Sequence, residues 1–432
     1  MKKIREDTIV IDKLVHGGQG IGTASDGRKC FVWGALPGET VKVQITKGKR
    51  DFCEGYASEV IVSSPDRIEP KESDIFLSTS PWQIVSYHEE GQFKQSILIE
   101  TFEREGIRAV WKELYQPERP YQYRNKMEYN FWFFTETNKV SLALHRRGSH
   151  QKVAVTESIL ATKAINTAGQ DLVRYINANN IPARPLKSVI IRSDSSGKTG
   201  ICLFVNNKEI ESAFIKFNPL NTIFEIVYSN PKSPASISTE DLVVSEQQLT
   251  DTLLGKTFKY STRSFFQVNL PVYEKVLEDI ANNVKKSKIK NIVDMYSGVG
   301  SIGLSVVGHD QKLTMVEVSE ESTEQAKLNM VGRLNCQVFT ASSEGVVDYL
   351  TGEEIVILDP PRSGLHKNVA EKLAEVKPPE IIYLSCNPST QARDIKILLD
   401  AGYKINHAQG FNFFPRTPHI ESLVILQIPK QK

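Results

Sequence analysis

The sequence predicts an α/β C-terminal domain on a mostly parallel sheet, behind a small N-terminal β-barrel and a central α+β unit. Three observations carry this. From about residue 265, short apolar runs alternate with helical stretches, the pattern of a parallel sheet. Residues 40–45 alternate valine or isoleucine with polar residues between glycine turns, as a barrel strand does. Residues 121–258 hold several strand pairs and a single helical stretch. The expected units are 1–62, 63–260 and 261–432. A chain of 432 residues is too long for one ordinary core and suits two or three.

In the first unit, turns are marked by Gly17-Gly18-Gln19-Gly20, Asp26-Gly27 and Pro37-Gly38-Glu39. Many short strands in so few residues fit a barrel of the OB type. Lys42, Lys47, Lys49 and Arg50 make a basic edge suited to phosphates, or simply a solvated surface. Residues 63–70 contain two prolines and read as a linker. Residues 87–105 read as a helix that packs on its chain neighbours or on the last unit.

The middle unit opens with an aromatic strand at 127–134, followed by strands at 140–144, 188–192 and 200–205, with a helix at 162–179. Arg119, Arg124, Lys126, Arg146 and Arg147 interleave with aromatics. That mixture suits RNA, where bases stack on rings and cations meet phosphates, and equally a folded core with charged margins.

The last unit has expected strands at 291–294, 313–318, 337–339, 355–358 and 381–384, with two late ones at 405–409 and 422–428. Expected helices begin near 302 and cover 321–329 and 390–400. Three strand tips carry chemistry. The first runs into Tyr296-Ser297-Gly298-Val299-Gly300, the fourth into Asp359-Pro360-Pro361-Arg362, the fifth into Ser385-Cys386-Asn387-Pro388. Ligands of open α/β sheets bind beyond the carboxyl ends of strands, so these tips are expected to share one site.

Charged residues are 24% and apolar residues 40%, as in a soluble globular protein. The net charge of +2 excludes a polycation, so any nucleic-acid contact rests on local patches. No apolar run is long enough to span a membrane, and the start Met1-Lys2-Lys3-Ile4-Arg5-Glu6 turns polar too soon for a secretory signal, so a cytoplasmic location is expected. The five cysteines, at 30, 53, 202, 336 and 386, form no Cys-x-x-Cys pair and suggest neither zinc nor disulfides.

Gly298-x-Gly300-x-x-Gly303 between a strand and a helix, with Glu317 near the tip of the next strand, suits an adenosine-type cofactor. The pattern does not separate a dinucleotide from S-adenosylmethionine. Two prolines after Asp359 hold its carboxylate rigidly. A thiol at Cys386 and a carboxylate at Glu421 match what methylation of uracil carbon 5 requires. Addition of a thiolate to carbon 6 makes carbon 5 a nucleophile, and a base must then remove its proton. A free thiol has a pKa of about 8.5, so a cation beside it would help, with Arg362 and Arg416 as candidates.

These segments resemble the bacterial RNA uracil-5-methyltransferases. The likeness rests on Asp359-Pro360-Pro361-Arg362, Leu384-Ser385-Cys386-Asn387-Pro388, Phe414-Pro415-Arg416-Thr417-Pro418-His419-Ile420-Glu421 and Ser264-Phe265-Phe266-Gln267-Val268-Asn269. The first unit, with Gly18-Gln19-Gly20 and Gly34-Ala35-Leu36-Pro37-Gly38-Glu39, is similar to the TRAM domain, an RNA-binding barrel. The resemblance implies a Rossmann-like class I methyltransferase domain. It implies Cys386 as nucleophile and Glu421 as base, with Gln267, Tyr296, Gly298, Glu317 and Asp359 binding S-adenosylmethionine. It implies structured RNA as partner, with 23S ribosomal RNA favoured over tRNA because tRNA members commonly lack the barrel, and a monomer.

One departure matters. Many relatives carry four cysteines for an iron–sulfur cluster, but residues 70–83 hold none and Ser158 stands where another is expected. No cluster and no other metal is therefore expected. Two rivals of other classes remain at this stage. A dinucleotide-dependent oxidoreductase would use the glycine loop and Glu317 but leaves Cys386 and Glu421 idle. A non-catalytic RNA-binding protein on the same scaffold would use neither.

Overall fold

The computed structural model describes residues 5–147, 151–234, 237, 240–342, 345, 347 and 349–429. Val41 and Val43 are fully buried because they point into a closed barrel, formed by β1 (Arg5–Leu14), β2 (Gly20–Thr23), β3 (Lys29–Trp33), β4 (Thr40–Gly48) and β5 (Phe52–Val62) in the order β1-β2-β3-β5-β4. Residues 1–4 of the expected first unit lie outside the described residues. Cys30 and Cys53 sit opposite one another on β3 and β5 as free, buried thiols.

After the barrel come α1 (Phe76–Thr79), α2 (Tyr87–Arg104) and β6 (Lys112–Tyr115). Then follow β7 (Lys126–Phe134), β8 (Lys139–His145), β9 (Lys152–Val155), α3 (Lys163–Ala178), β10 (Leu186–Ser193), β11 (Thr199–Val205), β12 (Thr222–Tyr228) and β13 (Glu240–Val243). Strands β7 to β13 form a seven-stranded sheet ordered β13-β12-β11-β10-β7-β8-β9. Thr162 caps α3 by accepting from the amide of Ile165, and Ile165, Ala168, Leu172 and Ile176 repeat at helical spacing against that sheet. A hairpin of β14 (Leu249–Leu253) and β15 (Lys256–Tyr260) leads into the last unit.

That unit holds α4 (Leu270–Lys286), β16 (Asn291–Met295), α5 (Ser301–Val306), β17 (Lys312–Glu317), α6 (Glu320–Asn329), β18 (Cys336–Thr340), β19 (Ile355–Leu358), α7 (Lys367–Val376), β20 (Glu380–Ser385), α8 (Pro388–Asp400), β21 (Lys404–Phe411) and β22 (Glu421–Gln427). Its sheet runs β18-β17-β16-β19-β20-β22-β21-β6. All four residues of β19 are fully buried, as expected where helices cover both faces. Strands β18 to β20 are parallel and β22 is antiparallel to β20. The order reverses between β16 and β19, which opens a crevice at their carboxyl ends.

The expected middle unit 63–260 is divided in space. β6 pairs in parallel with β21, and Ile97, Leu98 and Phe102 of α2 join the core that contains Leu398, Val424 and Leu426. The segment joining barrel and middle sheet thus completes the edge of the last sheet. A four-residue strand reading Lys-Glu-Leu-Tyr carries almost no periodicity, so only tertiary pairing reveals it.

Candidate active site

Antiparallel pairing of β20 with β22 sets Ser385 opposite Ser422. One step further along the ladder, Cys386 leaves β20 beside Glu421, the first residue of β22. Residues 35 apart in sequence become neighbours through register alone. Asp359 directly follows β19, the next strand over, and Pro360 and Pro361 stiffen its turn.

On the other side of the crevice, Tyr296, Gly298 and Gly300 all have positive φ, which throws the loop back over the strand tip. Ser297 donates its amide and hydroxyl to the Val316 carbonyl (3.0 and 3.2 Å) and ties the loop to β17. Glu317 accepts from the amides of Gly298 (2.9 Å) and Ser319 (2.8 Å), so its carboxylate is already aimed at the loop. A β-carbon on Gly303 would fall 2.7 Å from Oδ2 of Asp294, which instead accepts the Gly303 amide at 2.8 Å. Only glycine allows that approach.

The segment 264–269 comes from outside the sheet and is held by the middle unit. Buried Arg192 of β10 donates to the carbonyls of Ser264 (2.8 Å) and Phe266 (3.1 Å). Asn125 donates its side chain to the Gln267 carbonyl (3.0 Å) and its amide to the Val268 carbonyl (3.1 Å). The Phe266 ring stacks on Tyr260 at 4.2 Å.

These elements enclose one cavity of about 940 Å³. Cys386, Glu421, Asp359, Gln267, Tyr296, Gly298 and Glu317 all line it, with Arg362, Phe414 and His419. Its charges are unbalanced towards acid. Burial pushes the Cys386 thiol up to about 12, with the nearby Glu421 and Asp359 carboxyls adding to it and Arg362 opposing. Burial also raises Glu421 well above the carboxylate range, again with Asp359 adding and Arg362 opposing. Asp359 rises to about 7 and the fully buried Asp294 to about 8, both mainly through desolvation. His419 falls to about 4 because burial and the cations around it disfavour a further charge. Burial and the acid-rich lining thus favour the protonated forms of the thiol and of Glu421.

Of the two candidate cations, Arg416 is directed elsewhere: it is buried against Glu90, donating its amide to both carboxylate oxygens (2.9 and 3.0 Å) and its guanidinium to one (3.1 Å). Arg362 is the cation that faces Cys386. Sequence reading also passed over Asn125, Arg192, Asp294, Glu90 and Lys94. Lys94 is fully buried and donates to Glu90 (2.9 Å), Asn412 (2.6 Å) and the Phe414 carbonyl (3.1 Å). The signal was available for that pair. Glu90 and Lys94 extend the apolar stripe of Ile97, Leu98 and Thr101 towards the start of α2.

The loop 412–421 is gripped from three directions. Tyr123 donates to the Pro415 carbonyl at 3.0 Å. Trp82 donates its amide to Arg416 (3.1 Å) and its indole to Gly18 of the barrel (3.0 Å). Gly18 leaves no room for a side chain, since a β-carbon there would overlap Pro418 at 2.1 Å.

The tRNA (uracil-5-)-methyltransferase family profile matches residues 86–429, and the TRAM domain profile matches residues 5–57. The chain belongs to the tRNA (uracil-5-)-methyltransferase family. It is accordingly an S-adenosylmethionine-dependent RNA methyltransferase. Similar proteins include uncharacterized RNA methyltransferases of Clostridium tetani, 27% identical over 99% of this chain and 98% of that one, and of Thermotoga maritima, 26% identical over 97% and 98%. The fold also matches a Pyrococcus abyssi tRNA (uracil-54, C5)-methyltransferase solved with S-adenosyl-L-homocysteine. That match has a TM-score of 0.75, 22% identity, and covers 96% of this chain and 99% of the other.

The residues fit the cofactor: Gly298, Glu317 and Asp359 line the crevice, Glu317 is held against the glycine loop, and buried Asp294, which accepts the Gly303 amide, keeps an unpartnered Oδ1. They do not fit an iron–sulfur cluster. Where thiolates would stand, Glu72 accepts the Ile159 amide (3.1 Å) and the side-chain amide of Gln83 (3.0 Å). Gln83 in turn accepts the amides of Lys71 (2.9 Å) and Glu72 (3.2 Å) and donates to Ser80 (2.6 Å). Buried Ser158 accepts the Leu160 amide at 3.3 Å. An oxygen-and-amide network joins the two segments.

Proposed function

We propose that this enzyme methylates carbon 5 of a uridine in structured RNA through a covalent bond between Cys386 and uracil carbon 6. The observation that carries the reading is the placement of Cys386 and Glu421 side by side on adjacent strands, in the cavity that also holds Asp359 and the glycine loop. A target uracil is drawn out of its stack into this cavity, as chemistry on a base requires.

Cys386 loses its proton to water in the cavity and its thiolate adds to carbon 6, which turns carbon 5 into an enolate nucleophile that takes up the methyl group. Bound S-adenosylmethionine supplies an electrophilic methyl group on a positively charged sulfur. Glu421, having released its own proton to water, takes the carbon-5 proton as the bond between carbon 6 and the Cys386 sulfur breaks, and the departing thiolate regains a proton from water. Arg362 favours the anionic forms of both residues. Gln267, Tyr296, Gly298, Glu317 and Asp359 orient the cofactor.

We favour 23S ribosomal RNA as substrate, because the N-terminal barrel adds an RNA-binding surface suited to a large folded target. tRNA is the second reading, supported by end-to-end likeness to a tRNA-modifying fold. A cytoplasmic monomer completes the proposal. No helix among the described residues is long and apolar enough to cross a membrane.

The test uses methyl-labelled S-adenosylmethionine with unmodified ribosomal RNA and unmodified tRNA, comparing wild type with Cys386→Ala. Label in 5-methyluridine with wild type alone is expected, and mapping it decides the RNA. Label in another nucleoside, or undiminished label with Cys386→Ala, overturns the mechanism.

A further inference from the structure

The last three residues of β7 break the rule of a half-buried strand. Trp132, Phe133 and Phe134 are 39%, 39% and 38% exposed, so rings on both faces of the strand end uncovered. Contiguous exposed rings with a polar rim mark a place where something binds. Two cavities meet there, of about 760 and 610 Å³, and share Phe131, Trp132 and Lys152. Both lie in the size range of small-molecule sites, room enough for a base.

The rim is cationic. Arg146 lines one cavity, Arg184 the other and Lys152 both, while no carboxylate lines either among the described residues. Lys139 sits opposite Phe134 in the β7–β8 ladder. Aromatic faces beside cations, without acids, complement a nucleic acid: bases stack on the rings and phosphates meet the charges.

The strand also leads to the reaction. Asn125, which holds Gln267 and Val268 at the cofactor cavity, immediately precedes β7. Lys126, the first residue of β7, lies within electrostatic reach of Glu321 on the cavity wall. Lys126, Glu128, Asn130, Trp132 and Phe134 alternate onto one face, so they form a row leaving that cavity. Eight steps of about 3.3 Å set the far end roughly 26 Å from its start. Glu128 is the carboxylate in that row.

We infer that Trp132 and Phe134, with Lys152 and Arg184, form a stacking site for unpaired bases of the substrate RNA outside the target uridine. This rests on the RNA methylation proposed above and adds a second point of contact to it. The site would bind strand segments by shape and stacking, away from the reacting base.

The test measures binding of labelled, unmodified ribosomal RNA and tRNA transcripts to the full-length protein by anisotropy at several salt concentrations. Wild-type methyl transfer and affinity for S-adenosylhomocysteine are measured alongside. Trp132→Ala and Phe134→Ala are each expected to weaken RNA binding about tenfold. Neither changes the affinity for S-adenosylhomocysteine or the salt slope. Trp132→Tyr, which keeps a stacking face, is expected to bind as wild type. Lys152→Met lowers the salt slope by about one. Wild-type affinity in both alanine variants overturns the inference, as does Trp132→Tyr falling as far as Trp132→Ala, or a loss of S-adenosylhomocysteine binding with the RNA loss. If wild type itself fails to methylate or bind RNA, the function proposed above fails instead.

Discussion

The main-chain amide of Arg416 points between the two carboxylate oxygens of Glu90, at 2.9 and 3.0 Å, while its guanidinium bonds one of them at 3.1 Å. Arg416 itself has a φ of +65°, a conformation that nonglycine residues hold only when their surroundings impose it. Helix α2 therefore shapes the loop that ends at Glu421.

Glu90→Ala leaves Lys94 and Arg416 buried without their anion. Breaking one side of a buried ion pair costs about 3–5 kcal/mol. Urea unfolding is expected to show a loss of that order. A loss below about 1 kcal/mol, the scale of an exposed pair, would show that the cluster does not hold the loop.

Glu421→Gln keeps the shape of the base but cannot take a proton. Cys386 still adds to uracil, so the protein–RNA adduct is expected to accumulate as a band that survives denaturing electrophoresis. Cys386→Ala gives no such band. Absence of adduct in Glu421→Gln under conditions where wild type turns over would remove Glu421 from the proton-transfer step.

With its thiol pushed up to about 12, Cys386 is protonated at neutral pH in the free enzyme. Alkylation by iodoacetamide is expected to be slow at pH 7 and to climb steadily through pH 10. Arg362→Ala removes the opposing cation, so its alkylation at a given pH falls further. A plateau below pH 8 would contradict the buried, acid-lined setting.

Asp359 binds a proton more tightly folded, up to about 7, than unfolded, near 4. Stability from this group is present at low pH and is lost as pH rises towards 7, because the native state must then bury a charge. Asp359→Asn is expected to be more stable than wild type at pH 8, on the order of a few kcal/mol, with the gain shrinking by pH 4. Chemical denaturation at both pH values checks this; an equal gain at both would locate the effect elsewhere.

Gly303→Ala drives a methyl group to 2.7 Å from Asp294 and shifts the glycine loop off β16. Calorimetry is expected to show S-adenosylhomocysteine binding weakened by at least tenfold, about 1.4 kcal/mol. Unchanged affinity would mean the loop does not cradle the cofactor.

Much of the catalytic sheet is legible because its strands are continuous apolar runs closed by prolines, as at Leu358-Asp359-Pro360-Pro361 and Ser385-Cys386-Asn387-Pro388. The barrel is legible because Val41 and Val43 alternate with polar residues. What the sequence hides is long-range. The i, i+4 pair Glu90 and Lys94 continues the buried stripe of α2, but its partners Asn412 and Arg416 lie more than 300 residues away. Arg192 closes an apolar strand like any boundary charge, yet its guanidinium holds two carbonyls of the cofactor segment. β6 is legible only as the edge of a sheet that forms from later residues. The electrostatics are half legible: Arg362 does face Cys386, but the burial and the carboxyls of Glu421 and Asp359 that oppose it come from the fold.

Glu72 and Gln83 stitch residues 70–83 to the loop at 158–160 with side chains that every ribosome-made chain already carries. That junction needs no assembly machinery, no sulfide and no reduced metal. Gln83 also lends its carbonyl to the guanidinium of Arg416 (3.3 Å), so the same junction reaches the loop of Glu421. Folding of this junction therefore draws on the polypeptide's own side chains, with hydrogen bonds where metal–sulfur bonds would otherwise be.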